Sequence, residues 1–182
     1  MKFIKNLAIL GLTLTVLAGL TACGKSTDAS QNKGGSDGKK AYRTLDEIKQ
    51  EGTINIGVFS DKNPFGYVDE NGEYQGYDVY FADRLAKDLG VKINYVSTEA
   101  ANRIEYLQTG KVDIILANFT VTDERKEEVD FALPYMNVSL GVVSRDDYVI
   151  QSLDDLKKDD AIIVISGTTA ETYLTKNYPD IS

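Results

Sequence analysis

Short apolar, β-rich runs alternate with helix-forming stretches along most of this chain, and that alternation narrows the possible folds more than any other feature. Residues 53–59 (TINIGVF), 91–96, 112–116, 138–143 and 161–165 read as strands. Between them lie helical signals. Thr44-Leu-Asp-Glu47 has capping-box spacing and Gly52 follows as a stop, so residues 45–51 form a short helix. Tyr77, Phe81, Leu85 and Leu89, with Ala82 beside them, place an apolar stripe on a helix over 77–89 that Gly90 ends. Ser97 or Thr98 caps a helix through Gln108, with Gly110 as its stop; 123–129 and 152–158 are short helices; Thr168 and Glu171 open a last one with a second capping box. Asp69–Gly72 (DENG) is a turn. Strands joined through helices pair in parallel with right-handed crossovers, so the class is α/β.

In an open parallel sheet, ligands meet the carboxyl ends of the strands. Two polar stretches lie at such ends, LANFTVTDER (116–125) and VISGTTAE (164–171). The first sets Asn118, Phe119, Thr120, Thr122 and Arg125 where a buried strand leaves the core. Arg125 falls in the first turn of a short helix, where the dipole disfavours a cation and favours Asp123 and Glu124. An arginine placed against the dipole points at something else: a ligand carboxylate, for which its planar fork is suited, or Glu127 or Glu128 in solvent. Thr168 and Thr169 can serve a ligand, while Thr168 has the simpler role of a helix cap open to it. Arg103 lies in the helix after Thr98, where most arginines are solvated. Phe65, Tyr67 and Tyr77 are core or pocket wall, with the core favoured for Tyr77.

The amino terminus reads as a secretory signal. Lys2 and Lys5 precede an uncharged apolar run over 7–18, and Leu20-Thr21-Ala22-Cys23 follows. The run is shorter than the roughly 20 apolar residues a spanning helix needs. Leu-Thr-Ala-Cys resembles the bacterial lipobox, which implies that residues 1–22 are removed and that Cys23 carries a diacylglyceryl group; an ordinary cleavage site beside an incidental cysteine is the other reading. Two acyl chains hold a protein to a membrane stably where one does not. Cys23 is the sole cysteine, so no internal disulfide forms. Residues 23–40 are rich in Gly, Ser, Lys and Asp and read as a flexible tether, with folding starting near Ala41.

The net charge is −8, and loss of Lys2 and Lys5 with the signal brings it to about −10. That balance argues against a nucleic-acid partner, but a local cationic pocket can still take a small anion. The chain has no histidine, which excludes a Ser-His-Asp triad and any His-ligated metal site. No cofactor and no metal are expected.

Three segments carry a family resemblance. GVFSDKNPFGYVDENGEYQGYDVYFADRLAKDLGV (57–91), KVDIILANFTVTDERKEEVDFALPYM (111–136) and SLDDLKKDDAIIVISGTTAE (152–171) occur in the order and at the intervals of bacterial solute-binding proteins, family 3, the polar amino-acid receptors of ABC importers, which the chain resembles from Thr44 to its last residue. The resemblance implies a periplasmic-binding-protein-like fold of type II. It further implies that Arg125 forks onto the ligand α-carboxylate, that Thr120 gives the same group a hydroxyl, and that Asn118 and Phe119 line the pocket. Thr168 and Thr169 would close from the other lobe, Phe65 would pack near the ligand's apolar stem, and Arg103 resembles an arginine that meets a side-chain carboxylate in acidic-amino-acid binders.

Family members have two lobes joined by two crossings. Here residues 41–138 correspond to the first lobe and 139–182 to a hinge strand with part of the second, without the return crossing or the second-lobe aspartate that holds the ligand amine. The chain thus reads as truncated in the second lobe. Its last 40 or so residues are expected to be loosely held, and its own affinity for an amino acid to fall below the micromolar range. The implied partners are a free polar amino acid (glutamate or aspartate, cysteine or glutamine) and ABC permease subunits, at the extracytoplasmic face of the bacterial cell membrane. The function implied is that of a receptor and not an enzyme. A dehydratase on the same fold and a surface adhesion lipoprotein are the alternatives.

Overall fold

The structure is a computed structural model that describes residues 42–181. The signal, the tether, Cys23 and Ala41 lie outside the described residues.

Thr44 starts the fold as anticipated. Its hydroxyl accepts from Glu47 N and its own N–H donates to the Glu47 carboxylate, capping helix α1 (Leu45–Glu51). Gly52, at φ 70°, ends α1 in the left-handed region that glycine tolerates. Strand β1 (Thr53–Val58) then runs down the middle of a parallel sheet, with Ile54, Ile56 and Val58 fully buried. A side arm follows, made of β2 (Asp61–Lys62), β3 (Gly66–Val68) and β4 (Tyr74–Gln75) paired antiparallel. Its Asp69–Gly72 turn forms as expected, closed by Gly72 N–H to Asp69 O.

Helix α2 (Tyr77–Leu89) covers one face of the sheet and ends at Gly90. Its buried stripe is shifted from the one expected. Asp78, Val79, Ala82 and Ala86 face the core, whereas Tyr77 is 43% exposed. The small alanines let the helix sit close on β1, while the rings of Tyr77 and Phe81 pack sideways against Tyr135.

Strand β5 (Lys92–Ser97) flanks β1 on one side and β6 (Ile114–Ile115) on the other, giving the order β5-β1-β6, all parallel. Helix α3 (Arg103–Gln108), preceded by a 3-10 turn over Ala100–Asn102, connects them. Neither Ser97 nor Thr98 caps this helix. Thr98 N–H still donates to Val58 O, so the chain stays extended one residue past β5 and the helix begins later. Asp113 fixes the start of β6, because its carboxylate accepts from Asn55 N–H and from the Arg43 guanidinium. β6 is shorter than the sequence suggested, although Asp113 and Leu116 N–H still donate to β1 carbonyls.

Helix α4 (Asp123–Lys126) is also shorter than expected, since Glu128 and Val129 N–H both turn back to Arg125 O. Beyond it, 138–143 and 161–165 form no strand, and Val143 and Ile163 are each 98% exposed. An apolar run becomes a strand only where another strand stands beside it, and neither run has one among the described residues. The helix expected over 152–158 reduces to a 3-10 turn, Leu153–Asp155, capped by Ser152. Helix α5 (Thr169–Asn177) forms with Thr168 as its cap, but the Glu171 carboxylate bonds Gly167 N–H and Ser166 Oγ, one and two residues ahead of a regular capping box.

Candidate functional site

The carboxyl ends of β1 and β6 lead into one polar cluster. After β6 the chain turns at Asn118, which adopts φ 42°, a left-handed conformation that asparagine tolerates better than most residues. Asp78 holds that turn. Its fully buried carboxylate accepts from Asn118 N–H at 2.9 Å and from Tyr135 O–H at 2.7 Å. Burial raises the Asp78 pKa, and these two bonds oppose the rise. Asp78 N–H donates in turn to Phe65 O, so one residue places both the Phe65 and the Asn118 segments.

Arg103 is buried beneath the turn. Its Nε–H donates to Ala100 O, one terminal nitrogen to Ala117 O and Asn118 O, and the other to Gly167 O. Arg125, half-buried on α4, donates to Thr120 O at 2.7 Å and to Gly167 O at 2.8 Å. Both guanidinium carbons lie over the Phe119 ring, at 4.5 Å for Arg103 and 4.7 Å for Arg125, a favourable cation–π distance. Burial, then the charge of Arg125, draws the Arg103 pKa down to about 10. Burial lowers that of Arg125 as well, countered by Glu124. Neither arginine has a carboxylate partner among the described residues. In an acidic protein this is a local concentration of positive charge, of the kind that suits an anion.

Gly167 closes the cluster. It sits at φ 77°, and a Cβ there would lie 2.5 Å from Ala101 Cα and 2.7 Å from Ala100 O, so only glycine fits. The Thr168 hydroxyl is spent on the chain itself, donating to Ile165 O and accepting from Glu171 N–H. Thr169 is half-buried in the first turn of α5.

The structure therefore brings Arg103, Asn118, Phe119, Thr120 and Arg125 together with the Gly167–Thr168 turn. Phe65 joins only through its main chain to Asp78, and no bond ties the Thr169 side chain to the cluster. Arg103 is not solvated as most helix arginines are, because main-chain carbonyls take four of its N–H groups. Sequence reasoning missed Asp78 and Phe59. Asp78 was detectable as a carboxylate in register with Ala82 and Ala86 on a buried helix face. Phe59, buried at the end of β1, lies 5.8 Å from the Arg103 guanidinium and read only as a strand residue.

A cavity of about 480 Å³ opens beside β6 and touches Asn118, Phe119 and Thr120, but its other walls are mainly apolar, from Ile114 to Leu116 and from Val129 to Val138. Neither arginine lines it. Charged donors are what a small anion needs, and the arginine cluster supplies them where this cavity does not.

Known proteins are similar to this chain in sequence and in fold. The model of bacterial extracellular solute-binding proteins, family 3, covers residues 54–177. A cysteine-binding protein from Campylobacter jejuni is 56% identical, with a TM-score of 0.73 over 76% of this chain and 56% of that one. A solute receptor for L-cysteine from Neisseria gonorrhoeae is 55% identical, with a TM-score of 0.74 over 77% of this chain and 58% of that one. A glutamine-binding protein from Geobacillus stearothermophilus is 31% identical over 175 residues, 94% of this chain and 67% of that protein. A cyclohexadienyl dehydratase from Pseudomonas aeruginosa is also similar, 34% identical over 92 residues, 50% of this chain and 34% of that enzyme. The chain thus spans 56 to 67% of the length of the three binding proteins. Its mixed α/β architecture is that of the type II periplasmic binding proteins. With the family pattern met over most of the chain and the sheet built to match, the protein belongs to the bacterial extracellular solute-binding proteins, family 3.

Proposed function

We propose that the protein is the substrate-binding lipoprotein of an amino-acid ABC importer. It captures a polar amino acid outside the membrane and presents it to the permease. The observation that carries this reading is the state of Arg125. It is half-buried and unpaired with any carboxylate among the described residues. Two of its N–H groups go to main-chain carbonyls, leaving Nε–H and one N–H on each terminal nitrogen for a ligand. An α-carboxylate takes such a fork in a bidentate, charge-assisted pair, with the Thr120 hydroxyl beside it. Asn118 and Phe119 form the wall below, and Phe65, Thr168 and Thr169 border the ligand from either side. Cysteine is the first ligand to try, because the two cysteine-binding relatives share over half of their aligned residues with this chain.

Titration of the 15N-labelled chain with each amino acid and with the matching amino-acid amides, which lack the carboxylate, tests the reading. Acids should shift the resonances of 118–125 and amides should not. Equal response to both would remove the carboxylate from the account.

Cys23 supports the anchoring half of the proposal, as the residue that follows Leu-Thr-Ala in a lipobox-like signal. Lipidation there would hold the receptor at the extracytoplasmic face of the bacterial membrane. Radioactive palmitate should label the wild type and not Cys23→Ala, and label on the variant would defeat the assignment.

A further inference from the structure

Arg103 is the one buried cation among the described residues, at 3% exposure. Its guanidinium carries five N–H groups in a rigid plane, and four hydrogen bonds use them on acceptors from three separate stretches of chain. Ala100 O belongs to its own turn, Ala117 O and Asn118 O to the loop after β6, and Gly167 O to the turn before α5. The rings of Phe119 and Phe59 cover it. Turning this side chain toward a ligand would strip buried carbonyls of their donors, which proteins avoid. Close packing of Gly167 on Ala100 and Ala101 fixes the same turn from the other side. Arg125 keeps three N–H groups and is partly exposed, whereas Arg103 keeps one and is buried.

We propose that Arg103 is a positioning residue that ties the Gly167 turn to the Asn118 loop through main-chain carbonyls and reads no part of the ligand. The pocket then holds a single carboxylate-reading cation and favours neutral amino acids over glutamate and aspartate. The selectivity half rests on the amino-acid receptor reading above; the tie does not.

Two measurements on the 182-residue chain separate these halves. The first is amide hydrogen exchange without ligand. Arg103→Met should speed exchange at both the Asn118 and the Gly167 amides by about tenfold, because both segments lose the same anchor. Arg103→Lys, with a charge but no planar fork, should recover only part of the protection. If Arg103→Met does not fold, Arg103→Lys and Gly167→Ala, which breaks the tie from the opposite end, should each loosen both amides. Exchange that changes at one site only, or at neither, overturns the tie.

The second is titration by NMR. Cysteine and glutamine should bind at least about tenfold more tightly than glutamate and aspartate, a gap of one charged contact. Arg103→Met should weaken cysteine and glutamate by the same factor and leave their ratio unchanged. Tighter binding of glutamate by the wild type, or a loss in Arg103→Met confined to glutamate, overturns the proposed selectivity. If no amino acid binds while Arg103→Met still loosens both amides, the receptor reading fails and the tie stands.

Discussion

Arg125 donates a terminal N–H to the carbonyl oxygen of Gly167 at 2.8 Å, and that oxygen also accepts from Arg103. A neutral carbonyl thus receives two cations, neither of which forms an ion pair with a carboxylate among the described residues. Residues 42 apart in sequence meet there, and the turn before α5 is held against the loop after β6.

Replacing Gly167 with alanine tests that meeting directly. The new Cβ meets backbone at Ala100 and Ala101, which cannot step aside as a flexible side chain can. A left-handed φ adds strain of about 1–3 kcal/mol for a residue with a side chain. Urea denaturation should show a loss of stability of at least about 1 kcal/mol, and exchange of the Gly167 amide region should rise ahead of the β1 amides.

Asp78 predicts a specific pH dependence. Its pKa in the folded protein is raised above 3.8, chiefly by burial. The folded state then binds the proton more readily than the unfolded chain. The contribution of Asp78 to stability therefore falls as pH rises from near 3.8 through the raised value and is constant above it. Asp78→Asn removes that titration. The stability of the wild type relative to Asp78→Asn, from urea unfolding between pH 3.5 and 7, should decline with rising pH across that window and then level off. At neutral pH the variant should still lose about 1–3 kcal/mol, because an amide leaves either Asn118 N–H or Tyr135 O–H without its acceptor.

Asp113→Ala should disturb the site from a distance. Its carboxylate joins Arg43 to the start of β6, with its side chain 4% exposed, and also accepts from Asn55 N–H. Removing one member of a buried, hydrogen-bonded pair costs about 3 kcal/mol or more. Arg43 is partly exposed and can rehydrate, so the lower end is expected by thermal or urea unfolding. Asp113→Asn keeps one acceptor and should recover part of the loss.

Much of the sheet half was legible in the sequence because its signals are local. Thr44 with Glu47, Gly52 and Gly90 mark helix ends by their own chemistry, and the apolar alternation of 53–58 suffices to place a strand. Runs 138–143 and 161–165 are likewise apolar and β-rich, but a strand also requires a neighbour, which a local pattern does not report. The stripe of α2 was misplaced by one residue because large aromatics count heavily in an apolar pattern, whereas close helix–sheet contact favours Ala82 and Ala86. At the site, Arg125 stood out as a cation misplaced for its helix dipole. Arg103 did not, since nothing in its spacing reveals four carbonyls turned toward it from distant segments. The Thr168 hydroxyl caps α5, as its place before that helix suggested.

In the proposed function, Arg125 grips the carboxylate of a free amino acid. The Nε–H resonance of Arg125, assigned by comparison with Arg125→Lys, reports on it during titration with cysteine, with glutamine and with their amides. The expected result is a saturable shift of that resonance with the acids, no shift with the amides, and at least about tenfold weaker binding in Arg125→Lys, which cannot form the two-pronged pair. Saturable binding that leaves the Arg125 resonance unmoved, with affinity unchanged in Arg125→Lys, would contradict it.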